Sequence, residues 1–182
     1  NRSKGEYIAL CDGDDEWISN NKLKSQVELM KQNSNCDVSF HGVEIFNYLN
    51  SETKIKLASK KMKIFNTKQI IFHHHRVYTS TVSTMIKKSV VLNLPDFYYR
   101  SPTEDFYLLL IGSFRGGALF FPKVYSRYNL NIPNSWTNLY KNNNHYKVTI
   151  DSLLEIKKYL GYSLFSLITI TIIEFYIKYI IV

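Results

Sequence analysis

The run Glu6–Cys11 (EYIALC), followed at once by Asp12-Gly13-Asp14-Asp15, constrains this chain more than any other feature. A short apolar run with a β-branched centre, bounded by Gly5 and Gly13, fits a buried strand better than a helix. The acidic turn then falls at the carboxyl end of that strand. Three carboxylates in four residues repel one another unless a cation or solvent relieves them. Asp12 and Asp14, two apart on a turn, can both face one hard cation such as Mg²⁺ or Mn²⁺, leaving other positions to phosphate oxygens and water. A solvated surface turn is the other reading of a bare DxDD. An EF-hand loop is excluded, because Trp17 and Leu23 stand where it needs Gly and Glu.

The remaining elements alternate. Leu23, Val27 and Met30 recur at helical spacing, which predicts a helix over 20–32 with Asn20 or Asn21 as N-cap and that apolar stripe inward. Residues 37–49 alternate loosely and predict one or two strands, and the Lys-rich 51–63 an exposed loop or hairpin. A short helix is expected over 66–72, a strand over 82–86, a short helix over 88–93 and a strand over 118–121. Ser101-Pro102-Thr103-Glu104 is a helix start, with a capping serine, a proline at the first helical position and a capping-box glutamate. The Asn-rich 129–144 is expected to be a loop, and the remainder helix with a break near Gly161. Strands alternating with helices indicate an α/β fold, in which ligands bind at the carboxyl ends of strands.

A length of 182 residues, 45% hydrophobic and 21% charged, supports a domain with a real core and excludes a disordered chain. Cys11 and Cys36 cannot form a disulfide framework, which suits a reducing compartment, and Cys11 is expected to be buried ahead of the site. The net charge of +8 suits nucleic acid, anionic lipid or a phosphate-bearing molecule. No single Lys/Arg run stands out, so nucleic acid is not the expected partner. Asp105 falls in the first turn of its helix, where the macrodipole favours the ionised form and a carboxylate can accept a proton. Glu104 has a sufficient role as a capping residue. Adjacent His73, His74 and His75 point apart on a strand or a helix and make a poor metal site.

The segment Gly5-Glu6-Tyr7-Ile8-Ala9-Leu10-Cys11-Asp12-Gly13-Asp14-Asp15-Glu16-Trp17, with Lys22-Leu23 and Gln26-Val27, resembles the central segment of family-2-type glycosyltransferases of the GT-A fold. The likeness continues through Thr79-Ser80-Thr81, Lys87-Lys88-Ser89, Thr103-Glu104-Asp105 and Phe121-Pro122-Lys123-Val124, covering roughly residues 2–136. It implies a Rossmann-like mixed sheet flanked by helices. It also implies transfer of a sugar from a nucleotide sugar, a UDP-sugar first among them, to a glycan or lipid-linked acceptor. Asp12, Asp14 and Asp15 would bind the donor, Asp14 and Asp12 through Mn²⁺ or Mg²⁺. Asp105 would be the base of an inverting displacement, with Glu104 the alternative.

Relatives carry Tyr-Arg-x-His where this chain has Tyr128-Asn129-Leu130-Asn131. Contact with the donor phosphates would then be weaker, made by other Lys or Arg residues, or lost, so an inactive binding module is the competing expectation. No QxxRW motif appears, so a processive synthase is not expected. The abrupt start at Asn1 implies that the first strands of such a domain lie upstream, with 1–136 a partial catalytic domain and 137–182 a helical segment. The apolar 162–182 has three readings: a helix docked on the core, a helix on a membrane surface, or a span. Basic charge beside it suits a cytoplasmic enzyme in peripheral contact with the inner face of the plasma membrane.

Overall fold

The computed structural model describes residues 3–72, 79–96, 98–100, 104–133, 135, 150–151, 153–157, 164, 166 and 168–173. The fold is mixed α/β. Among the described residues there are seven strands, β1 (Tyr7–Ala9), β2 (Glu16–Trp17), β3 (Val38–Asn47), β4 (Glu52–Lys56), β5 (Lys63–Phe65), β6 (Met85–Lys87) and β7 (Ala118–Leu130). They form one sheet in the order β1-β6-β3-β7-β2, with β4 added on β3 and β5 on β7. Among these described strands only β3 and β7 run parallel; every other pair is antiparallel. The helices are α1 (Lys22–Gln32), α2 (Thr67–Phe72), α3 (Lys88–Val91) and α4 (Glu104–Gly112).

The β3/β7 pair is the spine. The first six residues of β3 and the first four of β7 are buried, as expected for strands covered on both faces. Val38, Phe40, Ala118 and Phe120 belong to one cluster with Ile70 and Ile71 of α2 and Tyr107 and Leu110 of α4. Phe40 is its hub, with ring centroids 5.2 Å from Phe120 and 5.9 Å from Phe65. Gly112 lets α4 approach, because a Cβ there would lie 2.6 Å from the Cβ of Val38. Ile150, Leu153, Ile156, Ile168 and Ile172, all helical, are buried in the same cluster. Among the described residues no helix is long and apolar enough to cross a membrane.

Four sequence expectations change. The strand expected over 82–86 begins only at Met85, because Thr81–Ser83 winds into a one-turn 3₁₀ segment with the Ser83 N–H donating to the Ser80 carbonyl at 2.9 Å. β7 does not stop at Phe121 but runs on to Leu130. Proline has no N–H for a ladder, yet Pro122 is tolerated because the register jumps there: His41 faces Phe121 while Gly42 faces Val124. The face that α1 turns inward keeps Met30 of the apolar stripe but is otherwise polar. Lys22, Gln26 and Met30 are buried, whereas Leu23 is 43% exposed. Asn21 precedes α1 but makes no side-chain cap; the Ser19 hydroxyl accepts its N–H instead, at 3.2 Å. Asn66, in contrast, does form a reciprocal capping pair with Gln69, at 2.9 and 3.1 Å. The histidine run, Ser101–Thr103, Trp136 and Gly161 lie outside the described residues, as does the Glu104 side chain.

Candidate functional site

β1 delivers the acidic turn, but not as a wholly buried strand. Its residues are half-buried, and its pairing is with β6, at the end of the sheet order. The Leu10 N–H donates to the Thr84 carbonyl at 3.1 Å, extending the tie between β1 and the chain leading into β6. Cys11 is exposed rather than buried, because the chain has already left the sheet by that point. The Asp15 N–H donates to the Asp12 carbonyl at 3.1 Å and closes the turn. Burial, then the charge of Asp15, pushes the Cys11 thiol up, so the thiolate is disfavoured beside these carboxylates.

A one-turn 3₁₀ segment, Thr81–Ser83, supplies the second wall. The Thr81 hydroxyl donates to Asp105 Oδ2 at 3.4 Å and also stabilises the Asp12 carboxylate. One hydroxyl has a single proton to donate, so Thr81 stands between two competing carboxylates. Asp12 is at the surface, yet the protein packed around it raises its pKa; Thr81 opposes the rise, and the charges of Asp105 and Asp14 add to it. The structure therefore brings Asp12, Asp14 and Asp105 into one electrostatic neighbourhood, although Asp12 and Asp105 are remote in sequence. Asp105 lies at the start of α4, where the Phe106 N–H donates to its Oδ1 at 2.8 Å.

The third wall is the far end of β7. Asn129, only 4% exposed, clasps the acidic turn. Its backbone N–H donates to Asp15 Oδ1 at 2.9 Å, and its side-chain Nδ2 donates to the Asp14 carbonyl at 2.7 Å and to Glu16 Oε1 at 3.3 Å. Asp15 is pushed up to about 7, first by burial and then by its acidic neighbours, with the Asn129 N–H opposing. Asp15 Oδ2 and Asn129 Oδ1 are buried acceptors left without a partner. Asn131, at φ 65°, donates to Asn47 Oδ1 at 2.8 Å. Both asparagines singled out in the sequence are thus engaged within the protein.

Behind the turn lies a polar core that helical periodicity did not indicate. The Lys22 ammonium donates to Gln26 Oε1 at 3.2 Å and sits 4.6 Å from the Trp17 ring centroid. Gln26 Nε2 lies within hydrogen-bond distance of Ser83 O (2.9 Å), Ser39 Oγ (3.1 Å) and Ser39 O (3.3 Å). Burial pushes Lys22 down to about 8. Next to it, burial holds the His41 imidazole at about 4, hence neutral, with Nδ1 donating to the Gly42 carbonyl at 2.7 Å and Nε2 unpartnered. Lys22 and Gln26 at i, i+4 were the available signal for this face. The Arg127 contacts to Glu44 (2.6 Å) and Glu16 (3.7 Å) bridge strands distant in sequence and had no such signal.

Among the described residues no three His, Cys, Asp or Glu side chains are placed to hold a metal ion together. Asp12 and Asp14 are the pair the turn offers. An all-oxygen pair suits a hard cation that completes its shell with water and ligand oxygens. No protein-family model matches the chain. Over 43 residues it is 42% identical to uncharacterized proteins of Mycobacterium bovis and Mycobacterium tuberculosis. That stretch is 24% of this chain and spans 12% of the length of those relatives.

Proposed function

We propose that this chain is part of a family-2-type glycosyltransferase of the GT-A fold, which transfers a sugar from a nucleotide-sugar donor, a UDP-sugar first among them, to a glycan or lipid-linked acceptor. The observation that carries the reading is the meeting of Asp12 and Asp105 at Thr81. Two carboxylates from separate elements, one on the acidic turn and one at a helix start, both draw on one hydroxyl. Asp12 and Asp14 would hold Mn²⁺ or Mg²⁺, which supplies Lewis-acid neutralisation of a diphosphate leaving group. Asp105 would accept the proton of the attacking acceptor hydroxyl, held in orientation by the Phe106 N–H and the Thr81 hydroxyl. By the resemblance, the displacement would invert the anomeric carbon. Asp15 and Asn129 brace the turn. Glu104 is the alternative base.

One observation favours a second reading, a sugar- or partner-binding module without turnover. Asn129 and Asn131, which replace ionisable residues of the resembling family, are committed to contacts within the fold. The two readings separate in one experiment on the full chain. Donor hydrolysis and transfer are measured with Mn²⁺ and a panel of UDP-sugars, beside Asp14→Ala and Asp105→Asn. The enzyme reading expects Asp105→Asn to lose roughly 10²–10⁴-fold in turnover while retaining donor binding. Donor-stabilised melting without turnover supports the binding module. Equal behaviour of the protein and both variants rejects the assigned roles.

A further inference from the structure

We propose that the lysine-rich strap between β4 and β5 is a docking surface for an anionic lipid bilayer. This surface is separate from the acidic turn, and the inference does not depend on the reaction assigned there. Residues 54–63 (KIKLASKKMK) hold five lysines and no carboxylate. The strap leaves β4 on the β3 side of the sheet and reaches β5 on the β7 side, so it must cross the spine. It does so at Gly42, where a side chain would collide with Leu57 and would meet the Lys56 and Lys123 carbonyls at 3.3 and 3.2 Å. Ala58 then packs on the central hydrophobic cluster, which fixes the strap on the α2/α4 side.

The outer surface of this strap is both cationic and apolar. Lys60 and Lys61 are exposed, Met62 is 55% exposed, and Leu57, although it covers Gly42, is 40% exposed. Ile150, Leu153, Ile156, Ile168 and Ile172 dock on the same cluster, while Leu154, Ile170 and Ile173 stand at 41, 47 and 51% exposure. Single exposed apolar residues are ordinary on any protein. Interleaved with lysines, of which Lys54 is paired with Glu52 at 3.2 Å, they match what a bilayer interface selects. Ammonium groups meet lipid phosphates while methyl-bearing side chains enter the boundary with the acyl chains. A purely polyanionic partner such as RNA uses the lysines but leaves Leu57 and Met62 without a role.

The test is co-sedimentation of the full chain with vesicles of pure phosphatidylcholine and of phosphatidylcholine with about one third phosphatidylglycerol, across a salt series. The expected result is binding to the anionic vesicles alone, weakening as salt rises. Each lysine near such a surface contributes about fivefold, so Lys56→Gln, Lys60→Gln and Lys61→Gln together lose about a hundredfold. Met62→Asp lowers the binding that survives at high salt. These positions are exposed, and an unchanged melting curve verifies each variant's fold. Equal binding to neutral vesicles, no vesicle binding, or full binding by the triple variant overturns the proposal. So does lysine-dependent binding of an RNA oligonucleotide that is indifferent to Met62→Asp and occurs without vesicle binding.

Discussion

Gln26→Leu is the substitution that most directly tests how this fold is held. Leucine is close in volume and is what an amphipathic helix would place inward, so periodicity alone makes the change harmless. The structure says otherwise. Gln26 is fully buried, its Nε2 serving the Ser83 carbonyl and its Oε1 serving the Lys22 ammonium. Orphaning a buried carbonyl removes about 1–3 kcal/mol, and stripping the neutral acceptor from a buried ammonium about 1.5–3 kcal/mol. The added apolar burial returns about 1 kcal/mol. The net loss is about 3 kcal/mol, a large share of a typical stability of about 5–15 kcal/mol. At about 2–4 °C per kcal/mol, Tm falls by about 10 °C.

Urea unfolding followed by circular dichroism measures this directly, with an unchanged slope showing that only stability has moved. A second signature separates the lysine from general packing. Lys22 is held at about 8 in the folded chain against 10.5 in an exposed one. Between those values the unfolded state binds more protons, so stability rises with pH from about 8 to 10.5, and is lost again as pH falls. Lys22→Met abolishes that rise, and Lys22→Met with Gln26→Leu recovers much of the loss of Gln26→Leu alone. Gln26→Leu within about 0.5 kcal/mol of the original chain, or a pH profile unchanged by Lys22→Met, refutes the reasoning.

His41 gives an acid-side counterpart. Its imidazole titrates at about 4 rather than 6.5, so stability is complete above 6.5 and falls by up to about 3 kcal/mol as pH drops towards 4. Asp15 acts with opposite sign over much of that window, since its raised pKa makes the folded state take up protons first. The difference between the original chain and His41→Phe, in urea titrations from pH 7 to 4, therefore isolates the histidine; parallel profiles reject it. Asn129→Ala removes the donor to the Asp14 carbonyl and is expected to cost about 1 kcal/mol. Amide hydrogen exchange at Asp15 and Glu16 should accelerate in that variant, and unchanged exchange there means that the turn is held by other contacts.

Local pattern made the outline of the fold legible. The helix 66–72, the short helix after Lys88 and the exposed lysine-rich stretch 51–63 depend on capping and charge within a few residues. The structure places them close to where those signals put them. β7 was less legible, because Pro122 is a stop signal in isolation and is harmless only where the register against β3 jumps. The inward face of α1 was legible only in part: Met30 of the expected stripe is buried, but Lys22 and Gln26 are buried with it while Leu23 is exposed. Hydrophobic periodicity assumes an apolar neighbour, and α1 meets the polar groups of Ser39 and Ser83.

The acidic turn itself was determined by sequence, since three carboxylates around Gly13 after a short apolar run suffice to place a charged turn at a strand end. What tertiary structure decided is what the turn faces. Asp105 reaches it because α4 packs over β3 at Gly112, and Thr81 because the 3₁₀ segment leads directly into β6. Asn129 reaches it because β7 extends past its proline. Each of these contacts joins residues far apart in the chain, so each depends on the close packing of the β3/β7 spine rather than on any local preference. The same division holds for the strap: its lysines are visible in the sequence, and the side of the sheet that presents them is set by the crossing at Gly42.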